Sequence, residues 1–112
     1  MAADVTLSRA GFPGVHAHRG GAGLAPENTL AAFRKAIGLD VDAIEMDLHV
    51  TRDGQVVVIH DETLDRTTDG RGNIEELTLE QVKRWDAGFK FGPAFRGERI
   101  PTLCEAIELV KS

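Results

Sequence analysis

Apolar positions along the chain recur with two different periods, and the changes of period mark its elements. Val15 to His18 reads as a short strand that ends at Gly20 and Gly21. After a loop, Pro26-Glu27-Asn28 opens a helix with Asn28 at the N-cap. Leu30, Phe33 and Ile37 then recur at helical spacing on one face, and Gly38 weakens the helix end. From Ala43 to Val50 the pattern becomes strict alternation. Ile44, Met46, Leu48 and Val50 fall on one side of the predicted strand, and Glu45, Asp47 and His49 on the other. Asp53-Gly54 is a turn pair, and Gln55 to Ile59 is a β-branched run, so the spacing predicts a hairpin. The stretch before Val15 reads as polar, with no assigned element.

Beyond the hairpin the pattern loosens. Asp61 to Ile74 is rich in Thr, Asp and Gly and reads as loop. Thr78 with Gln81, and Thr102 with Glu105, match capping boxes and predict two helix starts. Between them, Asp86 to Ile100 holds Phe89, Phe91 and Phe95 among three glycines without a clear period. Buried phenylalanines forming a satellite core are expected there. The order strand, helix, strand, excursion, helix predicts an α/β unit with parallel strands joined by helices.

Bulk properties narrow the class. A chain of 112 residues is one compact domain by size, and 42% hydrophobic with 28% charged residues excludes a disordered chain. The net charge of −5 argues against a nucleic-acid partner. Cys104 is the single cysteine, which excludes an intrachain disulfide and a cysteine zinc site. Residues 1–14 lack an apolar leader core and no membrane span is visible, so a cytoplasmic location is expected.

Glu45 and Asp47 carry the chemistry most directly. At i and i+2 on one strand they point the same way, with Cα atoms roughly 6–7 Å apart. Such a pair is costly unless something cationic joins it, and oxygen-only donors suit a hard cation such as Mg²⁺ or Ca²⁺. A solvated hairpin face is the competing explanation. His18 stands where a strand meets a glycine turn, with Arg19 beside it, and His60 closes the hairpin's second arm. Strand ends are where α/β folds place ligands, and two histidines near a cation can share acid and base duty. His16 and His49 read as structural. Gly20-Gly21-Ala22-Gly23 has the wrong spacing for a dinucleotide loop. Asp65 to Glu76 partly matches a calcium loop but lacks an entering helix pattern.

His18-Arg19-Gly20, Pro26-Glu27-Asn28-Thr29, Glu45-x-Asp47, His60-Asp61 and Arg66-Thr67-Thr68 together resemble, in order and spacing, the glycerophosphodiester phosphodiesterase family. Ile100-Pro101-Thr102-Leu103 is similar to the segment that leads that family back into its barrel. The resemblance implies a partial TIM (β/α) barrel, its first strands and helices plus an insertion at about 60–99, all within one incomplete domain over 1–112. At 112 residues the chain is too short to close eight strands, which takes about 250. The resemblance further implies His18 and His60 as the acid–base pair, Arg19 on the phosphate, and Glu45 and Asp47 on Mg²⁺ or Ca²⁺. The implied reaction is hydrolysis of a glycerophosphodiester to glycerol 3-phosphate and an alcohol; the alternative is a truncated, non-catalytic metal- or phosphate-binding module. A bare sheet edge left by the missing strands predicts a homo-oligomer or a complementing segment as partner.

Overall fold

The computed structural model describes residues 2–8, 16–21, 23 and 25–111. Its strands are β1 (Ala2–Ser8), β2 (His16–Ala17), β3 (Ala43–Val50) and β4 (Val56–Val58), and its helices α1 (Leu30–Gly38), α2 (Leu79–Val82) and α3 (Leu103–Lys111). β3 is the centre of an open four-stranded sheet. β2 runs parallel to it, with Ala17 opposite Ile44, and α1 forms the crossover between the two. The predicted strand start at Val15 lies outside the described residues. β4 returns antiparallel through the expected turn, where Gly54 takes the left-handed φ of 81°. Thr51 clamps that turn: its N–H donates to the Gln55 carbonyl at 2.9 Å, and its Oγ1 accepts from the Gln55 N–H at 3.0 Å.

β1 departs from expectation. The segment read as polar is a strand that pairs antiparallel with nearly all of β3, from Ala2 opposite His49 to Ser8 opposite Ala43. Val5 and Leu7 lie opposite Met46 and Ile44 and pack against the same core, while Asp4 and Thr6 lie opposite Asp47 and Glu45. The β3 edge expected to be bare is therefore covered. The sheet's new edge is β1 itself, which carries an exposed charge at Asp4, a common guard against edge-to-edge pairing.

One face of the sheet is roofed by α1 and α3, burying Phe33, Ala36, Ile44, Met46, Val58 and Ala106 together. The stripe of α1 that faces this core is Ala32, Phe33 and Ala36. Ile37, predicted to share it, is 42% exposed because it sits in the last turn, at the mouth of a cavity of about 390 Å³ that it lines with Leu7, Val41 and Val110. The N-cap of α1 is Thr29, whose Oγ1 accepts from the Ala32 N–H at 3.2 Å, and not Asn28. A glycine is required at position 20, since a Cβ there would overlap the Phe33 ring. Both predicted capping boxes form, at Thr78–Gln81 and at Thr102–Glu105.

A second core collects Val57, Ile59, Leu64, Ile74, Val82, Ala87 and Ile100, flanked by Trp85. β4 joins the two cores, because alternate residues face opposite ways: Val57 enters the second and Val58 the first. The phenylalanines expected to build this satellite core do not. Phe89 and Phe91 are exposed, and Phe91 meets Phe95 edge-on, with ring centroids 5.4 Å apart. Aliphatic residues of 57–82, with Ala87 and Ile100, fill that interior, and Phe89 and Phe91 lie outside it.

Candidate active site

β2 runs directly into a one-turn 3₁₀ helix at His18–Gly20. Inside it Arg19 adopts φ 49°, a left-handed conformation strained for a residue with a side chain. That turn aims the Arg19 backbone N–H at Glu45 Oε1, 2.9 Å away on β3, and sends the guanidinium across to His60, with Nη2 3.1 Å from Nε2. His18 is held more loosely: its Nε2 lies 3.8 Å from the same Glu45 oxygen and its side chain is 72% exposed.

Asn28 is the second left-handed residue of the site, at φ 56°. Its backbone N–H donates to the Arg19 carbonyl at 2.8 Å, which welds the two turns together. Its buried side-chain amide donates to Asp47 Oδ2 at 3.0 Å. Asp47 therefore keeps a fixed direction while one of its carboxylate oxygens stays without a donor from Asn28.

His60 follows β4 and is fixed from both ends. Its carbonyl meets Nε2 of the buried His49 at 3.0 Å, which gives His49 the structural role expected of it. The side chain of His16 lies outside the described residues. The His60 Nδ1 is 3.0 Å from Asp61 Oδ1. Since the Arg19 guanidinium only donates, Nε2 must accept, so the Nδ1 carries the proton and gives it to Asp61. Neutral His60 thus holds a lone pair at Nε2. Behind it, Arg66 forks onto Asp61 (2.8 and 3.0 Å) and onto Glu27 (3.0 and 2.9 Å). Glu27 in turn receives Arg19 Nη1 at 3.4 Å.

The electrostatics follow this geometry. Burial pushes the Glu45 carboxyl above its ordinary value, and Asp47 beside it pushes the same way, against the Arg19 N–H and His18. The Arg66 hydrogen bonds, with help from His60, hold Asp61 down to about 2. Arg66 is raised by Asp61 and Glu27 and stays charged. The Arg19 Nε is a buried donor with no partner among the described residues.

All five predicted positions, His18, Arg19, Glu45, Asp47 and His60, converge on one side of β3. Glu45 and Asp47 are joined there by Asp4 of β1, and the three place carboxylate oxygens within 4.8 Å of one another. This all-oxygen set fits a hard divalent cation. A groove of about 280 Å³ beside it is lined by Ala3, Asp4, Asp47, His49 and His60. The large cavity at Ile37 holds none of these residues. Sequence reasoning missed Asp4 altogether. It noticed Glu27, Asn28, Asp61 and Arg66 as parts of motifs but gave none of them a contact within the site.

Comparison with known proteins places this arrangement in a class. A phosphodiesterase of Oleispira antarctica, solved in complex with the product sn-glycerol-3-phosphate, superposes with TM-score 0.83 at 42% identity, over 88% of this chain and 40% of that one. A glycerophosphodiester phosphodiesterase of Agrobacterium tumefaciens superposes with TM-score 0.82 at 40% identity, over 87% of this chain and 42% of that one. The fold is part of a (β/α) barrel, with the sheet open. Residues 18–112 match the glycerophosphoryl diester phosphodiesterase family, and the chain belongs to it. The glycerophosphodiester phosphodiesterase of Caldanaerobacter subterraneus is 57% identical over 96 residues, 86% of this chain but 40% of the relative. The chain thus spans well under half the length of these relatives. No helix among the described residues is long and apolar enough to cross a membrane.

Proposed function

We propose that this chain carries the phosphate-gripping, acid–base and cation-holding part of a site that hydrolyses glycerophosphodiesters to glycerol 3-phosphate and an alcohol. The carrying observation is Arg19, which spans from Glu45 through its N–H to His60 through its guanidinium. Its planar fork, with the unpartnered buried Nε, suits two phosphoryl oxygens. Engaging the phosphate draws the guanidinium away from His60 and frees Nε2 as a base.

Nε2 of His60 then takes the proton of the substrate's glycerol hydroxyl, whose oxygen attacks phosphorus. As that P–O bond forms, the bond to the alcohol breaks, and protonated His18 donates to the departing oxygen. Water opens the cyclic phosphate with the two histidine roles reversed. Asp61 keeps His60 in the right tautomer, and Glu45 gives protonated His18 a counter-charge. Mg²⁺ or Ca²⁺ held by Glu45 and Asp47 would offset charge on the phosphoryl oxygens.

Glycerophosphocholine hydrolysis, assayed with Mg²⁺, with Ca²⁺ and in EDTA, tests the reading. His60→Ala and His18→Ala should each lower turnover by roughly 10²-fold or more. Unchanged turnover in His60→Ala would remove that residue from the mechanism. The loosely held His18, 72% exposed and 3.8 Å from Glu45, favours a second reading, a non-catalytic metal- or phosphate-binding module. It would bind glycerol 3-phosphate and the cation without turnover.

In the same proposal residues of about 60–99 are an insertion off the barrel. There Lys90 and Phe91 line a hollow of about 160 Å³ with Glu27 and Arg66, next to the site. Self-association or a complementing segment would add at the outer edge of β1. Sedimentation of the chain across a concentration series tests that point.

A further inference from the structure

Arg66 takes no step in the reaction above, although its guanidinium spans two carboxylates of the site, Asp61 and Glu27. We propose that Arg66 is a positioning residue that draws Glu27 away from Arg19 and so leaves the Arg19 guanidinium open to a phosphate. The inference rests on reading Arg19 as the phosphate contact.

Both partners are fixed by backbone anchors of their own. Glu27 precedes Asn28, whose left-handed turn is tied to the Arg19 carbonyl by its N–H at 2.8 Å. Arg66 lies in a turn pinned by the buried Thr68, whose N–H and Oγ1 both donate to the Leu64 carbonyl, at 3.0 and 2.7 Å. Leu64 is itself buried in the second core. The Glu27 carboxylate thus comes to stand between two guanidiniums. Arg66 meets it with one Nη on each oxygen, at 3.0 and 2.9 Å. Arg19 Nη1 stands off at 3.4 Å, longer than the roughly 3 Å of a full hydrogen bond. The two-point pair is the stronger, so Arg66 holds the carboxylate. On its other edge Arg66 grips Asp61 through Nε and Nη2, so it cannot turn away from Glu27 without breaking bonds there too. Exposed ion pairs contribute little to stability, and Arg66 is half-exposed. The effect of the arrangement lies instead in where it sends charge. Arg19 is left with one long contact to Glu27, one to His60, and a buried Nε that has no partner. An unpaired buried donor is costly, and Glu27 would close onto Arg19 as a two-point pair if Arg66 did not hold it. Such a pair would occupy the fork that a phosphate needs.

The test is calorimetric titration of glycerol 3-phosphate, with Mg²⁺ present, into the 112-residue chain and its Arg66→Met, Arg66→Lys, Glu27→Gln and Arg19→Ala variants. Arg66→Met should weaken binding by about tenfold or more, the order expected when one charge-assisted phosphate contact is withdrawn. Arg66→Lys should do nearly the same, since an ammonium cannot fork onto Glu27. The decisive arm is the double variant Arg66→Met with Glu27→Gln. Once Glu27 has no charge there is nothing to divert, so the double variant should bind within about threefold of Glu27→Gln alone. A residue that only braced the fold would show no such rescue. This comparison also decides the matter where Arg66→Met alone fails to fold, because the double variant leaves no unpaired carboxylate at Glu27. If Arg66→Met costs as much beside Gln as beside Glu at position 27, or binds like the parent, the role of Arg66 is overturned. The Arg19 reading still stands then, provided Arg19→Ala weakens binding. If Arg19→Ala binds like the parent, or the parent takes up no glycerol 3-phosphate, both fall.

Discussion

β1 and β4 both run antiparallel to β3, and the longer ladder belongs to the less anchored strand. β1 matches seven residues against β3, whereas β4 matches three. Yet β4 is enclosed. Val57 and Val58 are buried in two different cores, and its free edge is taken by the Val58 N–H to the Pro101 carbonyl at 2.9 Å and by the bridge from Val57 to Thr102. β1 buries only parts of Val5 and Leu7 and leaves Ala3, Asp4 and Thr6 exposed. A ladder hydrogen bond nets only about 0.5–1.5 kcal/mol, whereas a fully buried valine contributes about 1.5–3 kcal/mol. Residue for residue, burial therefore outweighs pairing. The site consequently has one firmly held arm, carrying His60, and one lightly held arm, carrying Asp4.

The largest expected effect tests the firm arm. Val57→Ala removes two methyl groups from a fully enclosed position and should cost about 2–3 kcal/mol, transfer plus residual cavity. Val5→Ala, half-buried and free to relax, should cost under about 1 kcal/mol. Denaturant melts of the two variants check the ratio, and equal costs would make β1 a core strand and break the comparison. Next in size is the deletion of residues 2–8. It should leave the two cores standing but uncover the β3 edge, so sedimentation should show larger species than the parent at equal concentration. A truncated chain no more associated than the parent would mean that β1 does not guard that edge.

Much of this was legible in the sequence where local periodicity carries the information. The parity of Glu45 and Asp47, the Asp53-Gly54 hairpin and both capping boxes depend on residues only two to four apart, and all formed. The Asn28 assignment failed because an N-cap is judged from its neighbours. Its amide is instead used by Asp47, 19 positions away, and Thr29 takes over the cap. The Glu27–Arg66 pair spans 39 positions and has no local signal beyond the two motifs. β1 did have one, Val5 and Leu7 alternating with Asp4, Thr6 and Ser8. Two large apolar residues in seven are too few for a strand to stand out until a partner supplies the other side.

The smallest expected effect concerns Asp61, which holds His60 from outside the sheet. Its carboxyl is held down to about 2, first by the Arg66 hydrogen bonds and then by His60, against an ordinary 3.8 in the unfolded chain. A carboxyl lowered on folding stabilises the fold fully above its unfolded value and loses that contribution as pH falls through the folded one. Arg66 stays charged throughout, so Asp61 alone sets this window, between about pH 4 and pH 2. The pair is partly exposed, at 49% for Arg66 and 27% for Asp61, so Asp61→Asn should cost under about 1 kcal/mol at neutral pH. The asparagine carbonyl can still accept from His60 Nδ1, so turnover should fall far less than in His60→Ala. In acid melts the parent should lose stability faster than the variant between pH 4 and pH 2, because only the parent has this carboxylate to protonate. Parallel curves through that window would show that the Arg66–Asp61 contact contributes nothing to folding. His60 would then be held by His49, Arg19 and Asp61 without any support from Arg66 behind Asp61.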